Sequence, residues 1–197
     1  MKENDDITVK EYEYHPWPPY IPNNAKVLIM GTFPPQPKRW SMNFYYPNRT
    51  NDFWRIMGII FYNDKNALYD ESGKNFDIDK IKKLLDSKGI ALNDTGHKIH
   101  RQMGNASDKY LEIVEPVDLK ALLKQMPECR AIATTGEKAA GVIADLTSTE
   151  APKMGEKIKW TDTISIWRMP STSRAYPVAP EKKAEFYAKM FREIGIL

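Results

Sequence analysis

The chain has 197 residues, 42% of them hydrophobic, enough to bury a full core and a better fit to one domain than to two. Its 29 Lys+Arg against 26 Asp+Glu give a net charge of +3, compatible with a polyanion partner but well short of the signature of a strongly basic nucleic-acid module. No apolar run approaches the roughly 18 residues of a membrane span. Acids and prolines stand near the N-terminus where a secretory leader needs an apolar stretch, and a single cysteine excludes an internal disulfide or a multi-cysteine metal site. These features predict a cytoplasmic chain with no membrane partner, and Cys129 in the core.

Residues 1–25, proline-rich toward their end, read as an extended arm packed on a single body formed by 26–197. "KVLIM" at 26–30 predicts a buried strand that runs into Gly31 and then into a long loop, "TFPPQPKRWSMNFYYPNRTN", crowded with aromatics, prolines and asparagines. A helix follows in "TNDFWRIMGIIF", with Thr50 as its cap, and a second in "DIDKIKKLLDSKG", where Ile78, Ile81, Leu84 and Leu85 recur at helical spacing from Asp77. "GIALN" at 89–93 reads as a strand, and "DTGHKIHRQMGNASD" beyond it as a loop. "PVDLKALLKQM" from Pro116 is helical, "RAIAT" at 130–134 a strand, and "TGEKAAGVIADL" a helix capped by Thr134 or Thr135. A fourth strand, "TISIWR" at 163–168, leads through "MPSTSRAYP" to a C-terminal helix from Ala179, with Pro180 near its first position and Phe186, Met190 and Phe191 on one face.

Strands alternating with helices imply βαβ units. The expected fold is α/β, a three-layer αβα sandwich around a central, mainly parallel, four-stranded sheet. Ligands of such sheets bind outside the carboxyl ends of the strands, which brings the four connecting loops to one face, with Lys38, Arg39, Arg49, Arg101, Arg168 and Arg174 in or beside them. No HExxH, GxSxG, GxGxxG or P-loop spacing occurs. His97 and His100 are three apart without an obvious third ligand, which favours loop hydrogen bonding over a metal. Among the loop residues, Trp40, Phe44, Tyr45 and Tyr46 provide aromatic faces, while Asn51 and Asn93 provide amides that both donate and accept. That combination suits a planar heterocycle, although Phe53 and Trp54 fit a core and Tyr46 fits either role.

Four segments in order, "HPWPPYIPNNAKVLIMGTFPP", "NFYYPNRTNDFW", "KGIALND" and "MPSTSRAYP", resemble the uracil-DNA glycosylase superfamily, most of all its mismatch-specific and hypoxanthine-DNA-glycosylase-like branches, over roughly residues 15–177. The resemblance implies a monofunctional, metal- and cofactor-independent DNA repair glycosylase that hydrolyses the N-glycosidic bond of a flipped uracil or hypoxanthine. It would act as a monomer on duplex DNA with a deaminated or mismatched base, or on single strands. By the same resemblance Tyr46 stacks on the base and Asn93 reads its edge. Gly31, Thr32 and Phe33 form the loop around the base, and Asn51 holds the attacking water with Asp94 in reserve. Ser171, Thr172 and Ser173 contact DNA phosphates, with Arg174, Ala175 or Tyr176 as the wedge. "GTFPP" departs from the relatives by lacking a loop carboxylate or amide and by carrying Pro35 in place of a glycine. That departure keeps open a catalytically silent DNA- or base-binding member, and an enzyme acting on free nucleosides or nucleotides.

Overall fold

The computed structural model describes residues 10–102 and 110–197; the remainder of the arm, 1–9, and residues 103–109 of the loop after the second predicted strand lie outside the described residues. Four apolar strands pair in parallel: β2 (Val27–Gly31), β3 (Ile90–Asp94), β6 (Ala131–Thr135) and β8 (Ser165–Met169). Their order is β3-β2-β6-β8, in a register that sets Val27 opposite Ile90 and Gly31 opposite Asp94. A fifth strand, β7 (Lys157–Lys159), adds antiparallel to the β8 edge, so the sheet has five strands rather than four. Its sequence "KIK" is too short and too polar to register as an apolar run, as befits an edge strand with lysines facing water.

A second, three-stranded antiparallel sheet was not expected. It joins β1 (Glu13–Tyr14), β4 (Gly96–Arg101) and β5 (Leu111–Pro116) in the order β1-β4-β5. These strands have a solvated face, and their histidines, lysines and glutamates hide the period-2 signal behind loop-like composition. The described part of the arm is therefore a strand donor as well as a strap: Glu13 pairs with Ile99 and Tyr14 with Lys98.

Alternation along β2 separates two cores. Val27 and Ile29 face a layer formed by α1 (Phe53–Tyr62), α2 (Ile78–Lys88) and α5 (Pro180–Glu193). Leu28 and Met30 face α3 (Leu119–Lys124) and α4 (Glu137–Thr147), together with Cys129, whose thiol burial pushes up to about 11. Helices on both faces of a mainly parallel sheet make the αβα sandwich. Three helix starts differ from the sequence reading. The helix placed from Pro116 starts at Leu119 with Asp118 as its cap, accepting from the Ala121 amide, because Pro116 ends β5. The N-cap of α1 is Asp52, because the Thr50 hydroxyl bonds the Asn48 side chain instead. That of α4 is Gly136 at φ 125°, because Thr134 donates to the Trp167 carbonyl and Thr135 bonds Tyr46. Asp77 caps α2 as expected, accepting from the Lys80 amide, and Pro180 opens α5.

The inner face of α5 buries a charge. Lys183 is completely buried, its Nζ donating to Asp52 Oδ2 at 3.0 Å and to the Ser173 carbonyl at 3.0 Å. Removing one member of such a pair leaves the other buried and poorly compensated, at a cost of about 3 kcal/mol. Lys183→Met should therefore lower the unfolding free energy by about that amount in urea titrations, and Asp52→Asn on that background should recover part of it.

Candidate active site at the carboxyl edge of the sheet

The strands deliver Gly31 and Asp94 side by side at their carboxyl ends. A Cβ on Gly31 would lie 2.6 Å from Asp94 Oδ1, 3.4 Å from the Tyr46 hydroxyl and 3.6 Å from Thr135 Oγ1, so only glycine fits where these three oxygens converge. Tyr46 comes from the long loop with φ 51°, a backbone conformation that a bulky side chain seldom adopts. Its ring is half-buried and stacks on Phe53 at 3.8 Å between centroids and 17° between planes, while its hydroxyl lies 3.3 Å from Thr135 Oγ1. Burial raises the pKa of this phenol, so the group stays protonated.

Asp94 is 7% exposed and has a partner that sequence reasoning missed. His15, from the arm, brings Nε2 to 2.9 Å from Asp94 Oδ2, while its Nδ1 lies 2.8 Å from the Trp17 carbonyl. The Trp17 amide also lies 3.3 Å from Nδ1, so that nitrogen meets both an acceptor and a donor of the same residue. Burial alone would lower the pKa of this histidine; the hydrogen bond and charge of Asp94, with the Trp17 carbonyl, outweigh it and leave the pKa raised. The imidazole ring is packed against Tyr45 at 5.6 Å and 27°, and edge-on to Phe33 at 5.5 Å. One histidine in a proline-rich arm, 79 residues from its carboxylate, gives no local signal; only the pairing of the arm to β4 reveals it.

Asn93 lies beside Asp94, 5% exposed. The Tyr45 hydroxyl sits 3.1 Å from its Oδ1 and 3.0 Å from the Pro18 carbonyl, so its single hydrogen serves one acceptor at a time. Asn93 is thus covered by Tyr45 and the arm. Asn51 is not at this cluster through its oxygen: Oδ1 accepts the Phe53 amide at 2.9 Å and braces the first turn of α1, one residue pair from the ring under Tyr46. The loop aromatics turn mostly inward, with Phe44 and Tyr45 buried and Trp40 tilted against Trp17 at 4.7 Å. Thr32 is buried and its carbonyl accepts the Gly96 amide; Phe33 is half-buried, with Arg101 5.9 Å above its ring.

The last loop approaches from β8. Ser171 lies against Gly136, at the 3.7 Å contact a Cβ there would make. Thr172 is 3% exposed and its carbonyl accepts the Asp52 amide, so its side chain is part of the packing. Ser173 and Arg174 are exposed, and Tyr176 is half-buried with Lys183 Nζ 5.6 Å from its ring. Arg101, expected on the loop face, is buried in an ion pair with Glu13 at 2.7 Å and donates to the Pro34 carbonyl, which ties the arm to the loop after β2. His97 and His100 sit on β4, where His100 Nδ1 bonds the Glu11 carbonyl. Among the described residues no group of three His, Cys, Asp or Glu is arranged to hold a metal, and no helix is long and apolar enough to cross a membrane.

The sequence matches no protein-family model and no curated protein. The structure is similar to the solution NMR structure of a "putative Uracil DNA glycosylase" from Methanosarcina acetivorans, with a TM-score of 0.59 and 20% identity over 94% of this chain and 99% of that one. At that identity the likeness is one of fold: the chain shares the fold of that structure.

The ion pair makes a test independent of activity. A histidine whose folded pKa lies above 6.5 binds its proton more tightly folded than unfolded, so its contribution to stability is full below pH 6.5 and disappears as pH rises through the folded value. NMR titration of the His15 ring should give a midpoint above 6.5 in the native protein, and a midpoint below 6.5 in Asp94→Asn, where burial acts unopposed by the carboxylate.

Proposed function

We propose that this chain is a DNA glycosylase that hydrolyses the N-glycosidic bond of a flipped, deaminated base, uracil or hypoxanthine, without metal or cofactor. The observation that carries the reading is the convergence of Asp94 Oδ1, the Tyr46 hydroxyl and Thr135 Oγ1 on Gly31, beside Asn93, at the edge of a sheet where such folds bind ligands. Asp94 is the general base: His15 takes Oδ2, and Oδ1 is left to accept a proton from the attacking water. The water oxygen bonds to C1′ of the deoxyribose, the C1′–N bond breaks, and its electron pair leaves with the base, which takes up a proton; the products are the free base and an abasic sugar. Asn93 donates to the base edge as negative charge develops there, a preorganised donor worth roughly 3 kcal/mol.

Tyr46 offers its ring to the base and rests it on Phe53. Asn51, whose oxygen is committed to the α1 backbone, supports that platform rather than the water. The backbone around Thr32 and Phe33 borders the base, and Ser171, Ser173, Arg174 and Tyr176 meet the DNA. Base flipping costs a few kcal/mol and least at a mismatch, which favours deaminated sites.

A second reading, a silent member that binds DNA or a base, draws on the cover that Tyr45 and the arm place over Asn93 and on the absence of a polar side chain at Phe33 in "GTFPP". The two part in one assay. Labelled duplexes carrying uracil or hypoxanthine opposite each base are treated with protein, then alkali. The glycosylase reading expects scission at the lesion, reduced roughly 10²- to 10⁴-fold by Asp94→Asn and less by Tyr46→Ala, Asn93→Ala and Asn51→Ala. Salt-dependent duplex binding with no scission by folded protein supports the silent reading, and neither binding nor scission leaves free nucleosides or nucleotides as the substrates to assay.

A further inference from the structure

A cleft of about 350 Å³ opens away from Asp94, between the start of α1, the loop after β8 and the start of α5. Its charge does not balance. Asp52 is a single buried carboxylate facing three cations: Lys183 holds Oδ2 at 3.0 Å, while Arg55 and Arg174 both stand 3.9 Å from Oδ1. Lys65 joins Arg55 and Arg174 as a third cation on the cleft wall and has no ion-pair partner among the described residues. The other carboxylate lining the cleft is the exposed Glu181. On the wall three cations therefore meet two carboxylates, with Lys183 buried behind Asp52.

Geometry reinforces the sign. Arg55 is held in place by hydrogen bonds from Nη1 to the Arg49 and Asn51 carbonyls, with its side chain only 15% exposed, so its orientation is set before any ligand arrives. The 14-residue α5 starts at the same wall, with Pro180 and Glu181 lining it and no side-chain cap on its first turn. A helix start and converging cations favour one kind of occupant, an anion with several acceptor oxygens.

We infer that this cleft binds a phosphate group. The phosphate belongs either to a DNA backbone or to a free phosphorylated nucleotide. Choosing the first source rests on the glycosylase reading, whereas the site itself does not. Arg174, offered above as a DNA contact, then works with Arg55 and Lys65 as one receptor, and the Asp52–Lys183 pair becomes its floor.

The probe is inorganic phosphate, compared with chloride at equal ionic strength, on the native protein, on Lys65→Gln, and on Lys65→Ala/Arg174→Ala. Both substituted side chains are exposed at the surface, so the variants should fold, and their melting transitions report whether they do. Phosphate in large excess should raise the melting temperature of the native protein by about 2–4 °C beyond chloride. The double variant should lose that rise and Lys65→Gln should lose part of it. Exclusion of phosphate from protein surfaces acts on all three alike, so the difference between them isolates the site.

A second measurement follows duplex binding against salt. A slope in log K against log salt reduced by about 2 in the double variant assigns the phosphate to DNA. An unchanged slope with the phosphate response still lost assigns it to a free nucleotide, and both results uphold the site. An equal phosphate response in native protein and double variant overturns it. Failure of the glycosylase reading is a separate result, absent strand scission with the phosphate response intact.

Discussion

A carboxylate at the end of a buried strand must find a cation or give up its charge, and in this chain that constraint fixes how the arm and the sheet fit together. Asp94 sets one carboxylate oxygen against Gly31 at the end of β3, and its other oxygen is left for a partner from outside the sheet. His15 answers it. To do so the arm has to run across the carboxyl edge, where β1 pairs with β4, the Tyr20 amide and carbonyl bond Leu92, and Pro18 meets the Tyr45 hydroxyl. Arg101, clasping Glu13 and the Pro34 carbonyl, fastens the same arm to the loop that follows β2. The arm is therefore part of the wall around Asp94 and Asn93.

A second buried pair does the same for the other side of the edge. Asp52 and Lys183 bring together the start of α1, the loop after β8 and α5, because Lys183 also holds the Ser173 carbonyl and the Asp52 amide holds that of Thr172. Neither pair is a large net source of stability once desolvation is counted. Their effect is on geometry: each misplaced partner strands a charge, so alternative placements of arm and loop are penalised. The pairs differ in what they leave over. Asp94 keeps one oxygen facing the point above Gly31, whereas Asp52 is surrounded by more cations than it can neutralise.

Much of this was legible in the sequence where hydrophobic pattern carries the signal. The four parallel strands were readable because they are largely buried on both faces and carry short apolar runs, and Asp77 and Pro180 announced their helices by cap chemistry. The small antiparallel sheet and β7 were hidden because one face is wet and their composition is that of loops. At the edge, Gly31, Tyr46, Asn51, Asn93 and Asp94 were expected to form one site; Gly31, Tyr46 and Asp94 meet there, the Asn51 oxygen does not, and the buried partners His15 of Asp94 and Lys183 of Asp52 gave no signal. A histidine in a proline-rich arm and a lysine on an amphipathic helix look like solvated side chains until tertiary structure removes the water. Asn51 shows the converse: a residue type suited to chemistry is occupied with holding up a helix start.

The placement of Tyr46 shows how local strain is retained. A tyrosine at φ 51° is disfavoured by about 1–2 kcal/mol relative to an extended conformation, so the loop must be held from several directions for it to persist. It is held: the Ser41 amide and hydroxyl both donate to the Pro47 carbonyl on one side, and Trp54 Nε1 donates to the Tyr45 carbonyl on the other. With the backbone pinned at both neighbours, the ring has one place to go, flat on Phe53 with its hydroxyl over the end of β2. Relaxing the strain would swing the hydroxyl away from Gly31 and Thr135 and expose the Phe53 face. The left-handed residue, the stacked ring and the glycine that leaves it room thus form a single arrangement, and it is the one that brings the long aromatic loop to Asp94.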